Sequence, residues 1–272
     1  MHDNRGDFEP HYVKLTNGRI HYISAGDAQG QPLVLLHQVP RTWDEFSEVI
    51  PLLRRYRIIA PDLPGYGASD PIENTIPATA GAVLELLDML SVDAAHVVGH
   101  HGGALVAFEM GAQEPGRVLS LTLSSVPYID AAERARRKDA PGFNSVQPRE
   151  GGEHLAALWR RRAGYLTDGA GSVNVLNKYI ADAVRTTDPD RGIRAVSVYR
   201  SEDRLGAYAG PVLEIASAKD ERAFPRRGMI RKAAPQALLC VLERGDIATP
   251  ETRPNEFAEA IEKFIEESVR AS

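Results

Sequence analysis

The residue with the clearest capacity for chemistry is His101. It sits in the run Gly99-His100-His101-Gly102-Gly103, between an apolar segment and a helical one. A Gly-X-X-X-Gly run joining a buried strand to a helix makes a tight turn that exposes its central side chain, the geometry of a nucleophile elbow. An imidazole there is neither a serine-type nor a thiol nucleophile, but it is the side chain best suited to move protons near neutral pH. The positive end of a helix dipole favours its neutral, basic form. Histidine also tolerates a left-handed backbone better than most residues. Other chemistry-bearing residues follow apolar runs in the same way: His37 and Gln38 after 32–37, Asp62 after 56–61, Asp220 after 211–217, and Asp246 after 236–243.

These positions matter if the runs are strands of one sheet. PLVLLH (32–37) is continuously apolar and reads as a strand buried on both faces. YRIIAPD (56–62), AAHVVGH (94–100), RVLSLTLSS (117–125), PVLEIAS (211–217) and QALLCVLE (236–243) resemble it. Helical periodicity is expected at 42–55, 78–90 and 102–114, and near 254–269, where Phe257, Ala260, Ile261, Phe264 and Ile265 share a face. Alternating strands and helices indicate an α/β fold with a mostly parallel central sheet and helices on both faces. PHYVKLT (10–16) and GRIHYISA (18–25) meet at Asn17-Gly18, a hairpin signal that adds antiparallel strands at one edge. Open sheets of this kind bind ligands beyond the carboxyl ends of their strands, where the residues above are placed. Residues 127–209 break the rhythm: they carry helical patches at 130–138, 152–163 and 172–185 and no convincing strand.

Composition excludes several classes. The chain has 272 residues, 43% hydrophobic and 25% charged, as in a soluble globule. With 32 basic and 37 acidic side chains its net charge is −5, which argues against binding a nucleic-acid backbone. One cysteine, Cys240, leaves no disulfide framework and no Cys-rich zinc site. No apolar run approaches the roughly 20 residues that span a bilayer. The first ten residues, polar and without an apolar core, do not read as a signal peptide, so a cytoplasmic location is expected.

Several segments together resemble the capped α/β-hydrolases. HQVPRTW is similar to the family's oxyanion loop HGxPxxxxxW, APDLPGYGASD to DLPGxGxSD, and VVGHHGGALVA to VGHSMGGxVA. Lys219-Asp220 matches the strand exit that carries the triad acid, and 127–209 stands where the family inserts a helical cap. The likeness covers nearly the whole chain outside 127–209. It implies a core domain of 1–126 and 210–272 with a cap of 127–209. The departures fall on the catalytic positions. His101 replaces the Ser, Asp or Cys nucleophile; Gln38 replaces a usual glycine; and no histidine follows His154, so the last strand exit offers Asp246 or Ile247 where the catalytic histidine is usual.

By that resemblance, His101, Asp220 and Asp246 converge, with Asp246 favoured as the partner of His101. The backbone N–H groups of Val39 and Gly102 would form an oxyanion hole. His37, Gln38, Trp43, His100, Phe143 and Trp159 are candidates to line a substrate pocket; for His37 and His100 a purely structural hydrogen-bonding role is the stronger reading, and for Trp43 a core role is at least as strong. The cap arginines 134, 136, 137 and 160–162 read as solvated faces. A metal site built on His37, His100 and His101 is disfavoured because adjacent side chains diverge, and no metal or other cofactor is expected. The reading is an enzyme using His101 and an aspartate as general acid and base on a small, largely apolar carbonyl compound, without an acyl-enzyme. Hydrolysis, elimination, cyclisation and isomerisation all stay open. The alternative is an inactive ligand-binding or scaffolding protein. The expected partner is a small-molecule substrate, with neither nucleic acid nor membrane; a homodimer is an open alternative.

Overall fold

The computed structural model describes residues 8–137, 144–167, 172–204, 206–232 and 234–271. Eight strands form one sheet in the order β1-β2-β4-β3-β5-β6-β7-β8. β1 (Glu9–Leu15) and β2 (Gly18–Gly26) make the expected hairpin, and β2 pairs antiparallel with β4 (Arg57–Pro61). From there β3 (Pro32–Leu36), β5 (Ala95–His100), β6 (Val118–Ser124), β7 (Val212–Ser217) and β8 (Leu238–Leu242) are all parallel to their neighbours.

Alternation along the strands divides the core in two. Val34, Leu36, Val97, Leu121 and Leu123 face α1 (Ile76–Met89) and α2 (Gly102–Gln113). Leu33, Leu35, Val98, Leu213 and Ile215 face the other layer, built from residues 43–56 and α8 (Pro254–Ala271) through Phe257, Ile261, Phe264 and Ile265. Each central strand is buried on both sides, which explains its unbroken apolar run.

The segment 42–55 differs from the expected helix. It forms two short 3₁₀ turns, Trp43–Phe46 and Ile50–Leu52. Pro51 lacks an N–H and its ring clashes with the carbonyl four residues back, so an α-helix cannot run through. The apolar stripe survives: Phe46, Val49, Ile50 and Leu53 are all buried.

Between β6 and β7 lie α3 (Ala131–Arg137), α4 (Glu153–Ala163), α5 (Ser172–Arg185) and α6 (Arg191–Val198). The last was not expected, because Gly192 and a high share of β-branched residues oppose helix formation. Tertiary packing overrides that weak preference. Gly192 lies so close to the loop after β3 that a Cβ there would stand 2.5 Å from Val39 Cγ1. Among the described residues, no helix is long and apolar enough to cross a membrane.

Candidate active site

The turn after β5 holds His101 at φ 47° and ψ −115°, a left-handed, strained conformation for a side chain with a Cβ. Two glycines make it possible. A Cβ on Gly99 would stand 2.3 Å from the Gly103 carbonyl oxygen, and one on Gly103 would stand 2.1 Å from that of Leu36. The His101 N–H donates to the Ser124 carbonyl at 2.9 Å, fixing the turn to the end of β6. His101 then precedes the first residue of α2, where the helix N–H groups are still free.

The ring reaches Asp220, three residues beyond β7. His101 Nε2 lies 2.7 Å from Asp220 Oδ2. The two atoms are in close contact, with the ring N–H directed away from the line between them. The other oxygen, Oδ1, accepts from the N–H groups of Arg222 (3.0 Å) and Ala223 (3.1 Å), which locks the carboxylate. Burial raises the Asp220 carboxyl, but the His101 imidazole and the Ala223 N–H more than offset this and hold it well below the usual carboxylate range. Asp220 is therefore an acceptor at ordinary pH. His101 Nδ1 has no hydrogen-bond partner among the described residues.

His101 opens on a cavity of about 1070 Å³, at the upper end of the range for small-molecule sites. Gln38, Val39 and Gly102 from the strand exits share its wall with Ile193, Val196 and Val198 of the α6 region.

Asp246 does not meet His101, which corrects the favoured pairing. It is fully buried. Its Oδ1 accepts from Ala248 N–H (2.9 Å) and the Thr252 hydroxyl (3.0 Å); its Oδ2 accepts from Thr167 N–H (3.1 Å) and hydroxyl (3.2 Å). All of its capacity goes to bracing the loop before the short helix α7 (Thr249–Thr252) and the segment after α4. Its neighbour Ile247 lines the cavity with His101.

The remaining candidates divide. His37 is wholly buried, with Nδ1 2.8 Å from the Gln38 carbonyl and Nε2 accepting from Leu63 N–H at 2.8 Å. His100 is also wholly buried, between the Ser124 hydroxyl (2.9 Å) and the Ile247 carbonyl (3.1 Å). Neither lines the cavity, because both side chains are committed to holding strand ends together. Trp43 packs on Phe8 at 5.3 Å between ring centres, in the layer on the far face of the sheet. Trp159 is half-buried on α4 and does not line the cavity. Phe143 lies outside the described residues. Among the described residues, no group of three His, Cys, Asp or Glu side chains could hold a metal ion.

Sequence reasoning missed Arg162. The expectation of a solvated arginine run holds for the exposed Arg160 but fails at Arg162, which is 3% exposed and lines the cavity. The available signal was helical spacing: Arg162 stands four residues after the buried Leu158, on the same face of α4. Arg134 also lines the cavity, paired with Glu202.

The buried histidines give an expectation for acid stability. Burial lowers His100 and His96 to about 4 each. Unfolded imidazole titrates near 6.5. Between those values the unfolded chain binds protons that the native chain does not, so stability is fully present above about pH 6.5 and falls as pH drops to about 4. The loss is on the order of 3 kcal/mol for each histidine. Urea midpoints measured at pH 7 and pH 4.5 should differ accordingly; a midpoint unchanged across that window would contradict it.

The arrangement of sheet, elbow and inserted helices has close parallels. The profile of the alpha/beta hydrolase fold family matches residues 31–230. The chain belongs to that family. A soluble epoxide hydrolase of Corynebacterium sp. is 44% identical over 102 residues, 36% of this chain and 35% of that protein. The chain thus aligns with about a third of that relative's length. The magnesium-chelatase 30 kDa subunit of Rhodobacter capsulatus is 31% identical over 214 residues, 75% of each chain. Among solved structures, a hydrolase from Pseudomonas aeruginosa PA01 superposes with a TM-score of 0.79 at 23% identity, covering 94% of this chain and 98% of that one. Its relatives thus include hydrolases, among them epoxide hydrolases and a haloalkane dehalogenase.

Proposed function

We propose that this α/β-hydrolase-fold protein is an enzyme in which His101 acts as general base and acid with Asp220 as its partner. The substrate is a small carbonyl compound with an apolar body, and no acyl-enzyme forms. The 2.7 Å contact between His101 and Asp220 beside an open cavity carries this reading. An inactive relic of the fold calls for a packed histidine and a closed pocket.

In the reacting site the Nε2–H donates to the Asp220 carboxylate, leaving the Nδ1 lone pair as the base. Nδ1 takes a proton from a carbon next to the substrate carbonyl or from a water attacking it, and returns it to the product. Asp220 stabilises the imidazolium between those steps, as an aspartate does in any triad. The N–H groups of Gly102 and Val39 stabilise the negative charge developing on the carbonyl oxygen.

The test is solvent exchange. Wild type and His101→Gln are incubated in D₂O with a panel of small ketones, lactones and esters, followed by NMR. Deuterium entry beside the carbonyl, or product, with wild type alone is the expected result. No turnover of any panel member by wild type, or equal turnover by the variant, would sink the proposal.

The absence of a nucleophile at the elbow has its own consequence. Ser125, the first residue after β6, is buried, its hydroxyl donating to Ser217 Oγ at 3.3 Å, and it does not line the cavity. Serine-directed fluorophosphonates should therefore leave the intact mass unchanged; stoichiometric labelling at any serine would contradict the absence of covalent catalysis.

A further inference from the structure

The cap places the Arg162 guanidinium in the cavity wall, with no carboxylate paired to it among the described residues. Arg162 donates from Nη2 to Gln38 Oε1 at 3.3 Å, and its guanidinium carbon lies 4.8 Å from the centre of the Tyr179 ring. Its Nε is buried with no partner, and no carboxylate stands within ion-pair distance of it among the described residues. The carboxylates of its neighbourhood are engaged elsewhere. Arg41 holds Asp182 at 2.8 Å and Glu251 at 2.5 Å. Glu45 accepts from the Gln38 backbone N–H at 2.7 Å and from the Gln38 side-chain amide. Glu45 therefore orients Gln38 with its carbonyl oxygen towards Arg162. Of the four other arginines of the cavity wall, Arg134 has Glu202, Arg194 has Asp188 and Arg226 has Glu133, while Arg222 donates to the Tyr165 hydroxyl at 3.2 Å.

Burying a guanidinium is unfavourable, and burial lowers the affinity of Arg162 for its proton. Guanidinium nevertheless stays protonated in proteins, so a charged group with an unpartnered Nε–H lines the cavity that His101 also lines. Nε and an Nη on one edge of a guanidinium match the two oxygens of a carboxylate. The departure of Gln38 from glycine and the buried Arg162 are thus one feature, since the first positions the second.

We propose that Arg162 recognises the carboxylate of the substrate, so that the cavity takes a small oxo-carboxylic acid with its carbonyl at His101 and its carboxylate at the cap. This deepens the enzyme reading and rests on the cavity being the substrate site. The competing role for Arg162, balancing the charge of Glu45 at a distance, makes no demand on the charge of a ligand.

The test uses 4-oxopentanoate and 4-oxo-4-phenylbutanoate beside their primary amides. Binding is read by calorimetry and by the ¹⁵N signal of the Arg162 Nε group. At least one acid should bind wild type 10- to 100-fold more tightly than its amide, the usual worth of charge-assisted hydrogen bonds, and should shift that signal. Arg162→Met should lose the preference, Arg162→Lys should keep part of it, and His101→Gln should retain it in full. If Arg162→Met fails to fold, by near-ultraviolet circular dichroism, the acid–amide comparison and the Nε signal of wild type decide alone. Equal binding of acid and amide, no binding of either acid, a preference that survives in Arg162→Met, or the same signal shift from sodium chloride alone would each overturn the proposal. Because binding is measured apart from turnover, loss of the acid preference with D₂O exchange intact rejects Arg162 and spares His101. Loss of exchange with the preference intact does the reverse.

Discussion

Replacing His101 with alanine should lower turnover by about 10²–10⁴-fold, the range contributed by a positioned acid or base. The fold should survive, because the strain in the elbow belongs to the backbone and alanine leaves Gly99 and Gly103 in place. Relief of that strain at φ 47° calls for glycine, so His101→Gly should be at least as stable as His101→Ala. Glutamine separates shape from chemistry. It fills much of the same space and can donate to Asp220, but it cannot accept a proton at neutral pH. His101→Gln should thus be as inactive as His101→Ala. Single-turnover rates on any substrate found by the D₂O screen decide the matter: a glutamine variant at the wild-type rate would leave His101 a shape-determining residue only. The chemical step is the one to measure, since a slower product release can hide a change in proton transfer.

The legible part of this protein was its punctuation. Continuous apolar runs located the central strands because each is covered on both faces, and the glycines at 99 and 103 marked the elbow because backbone atoms lie where a Cβ would go. Those local facts also placed His101 and Asp220 at strand exits. Which aspartate meets the imidazole was not legible from family convergence alone. It depends on where each carboxylate spends its lone pairs, and Asp246 spends them locally. Its bond to Ala248 N–H, two residues on, is an Asx-turn leading into Thr249-Pro250, and an aspartate shortly before a Thr-Pro helix start is a sequence signal for that use. Arg162 was hidden for a different reason. Three consecutive arginines look alike in composition, and only the phase of the helix relative to Leu158 distinguishes the buried one. The 42–55 segment shows the limit of periodicity itself: the apolar stripe was right, but Pro51 decides the backbone that presents it.

Asp220→Asn should cost activity on a scale comparable to loss of the histidine, about 10²–10⁴-fold, while changing the volume of the site hardly at all. A carboxylate can only accept, so it selects the tautomer with the proton on Nε2 and the lone pair on Nδ1. The bonds from Arg222 and Ala223 N–H fix which asparagine atom takes which place: the amide oxygen stays on those donors, and the NH₂ group falls on the His101 side. An NH₂ group donates, so Nε2 must become the acceptor and the proton moves to Nδ1, the atom that has to be free as base. The variant would hold the ring in nearly the same position in the wrong tautomer, and would lose the charge that stabilises imidazolium. The ¹⁵N shifts of the His101 ring, measured above pH 7, should exchange their protonated and unprotonated assignments between wild type and Asp220→Asn. Asp246→Asn is the matched control. It should weaken the loop before α7, where donors from Ala248, Thr252 and Thr167 meet the carboxylate, and leave the His101 ring shifts where they are. If instead Asp246→Asn moved the ring shifts and Asp220→Asn did not, the dyad would be His101–Asp246, and the lone pair available to substrate would have to be assigned anew.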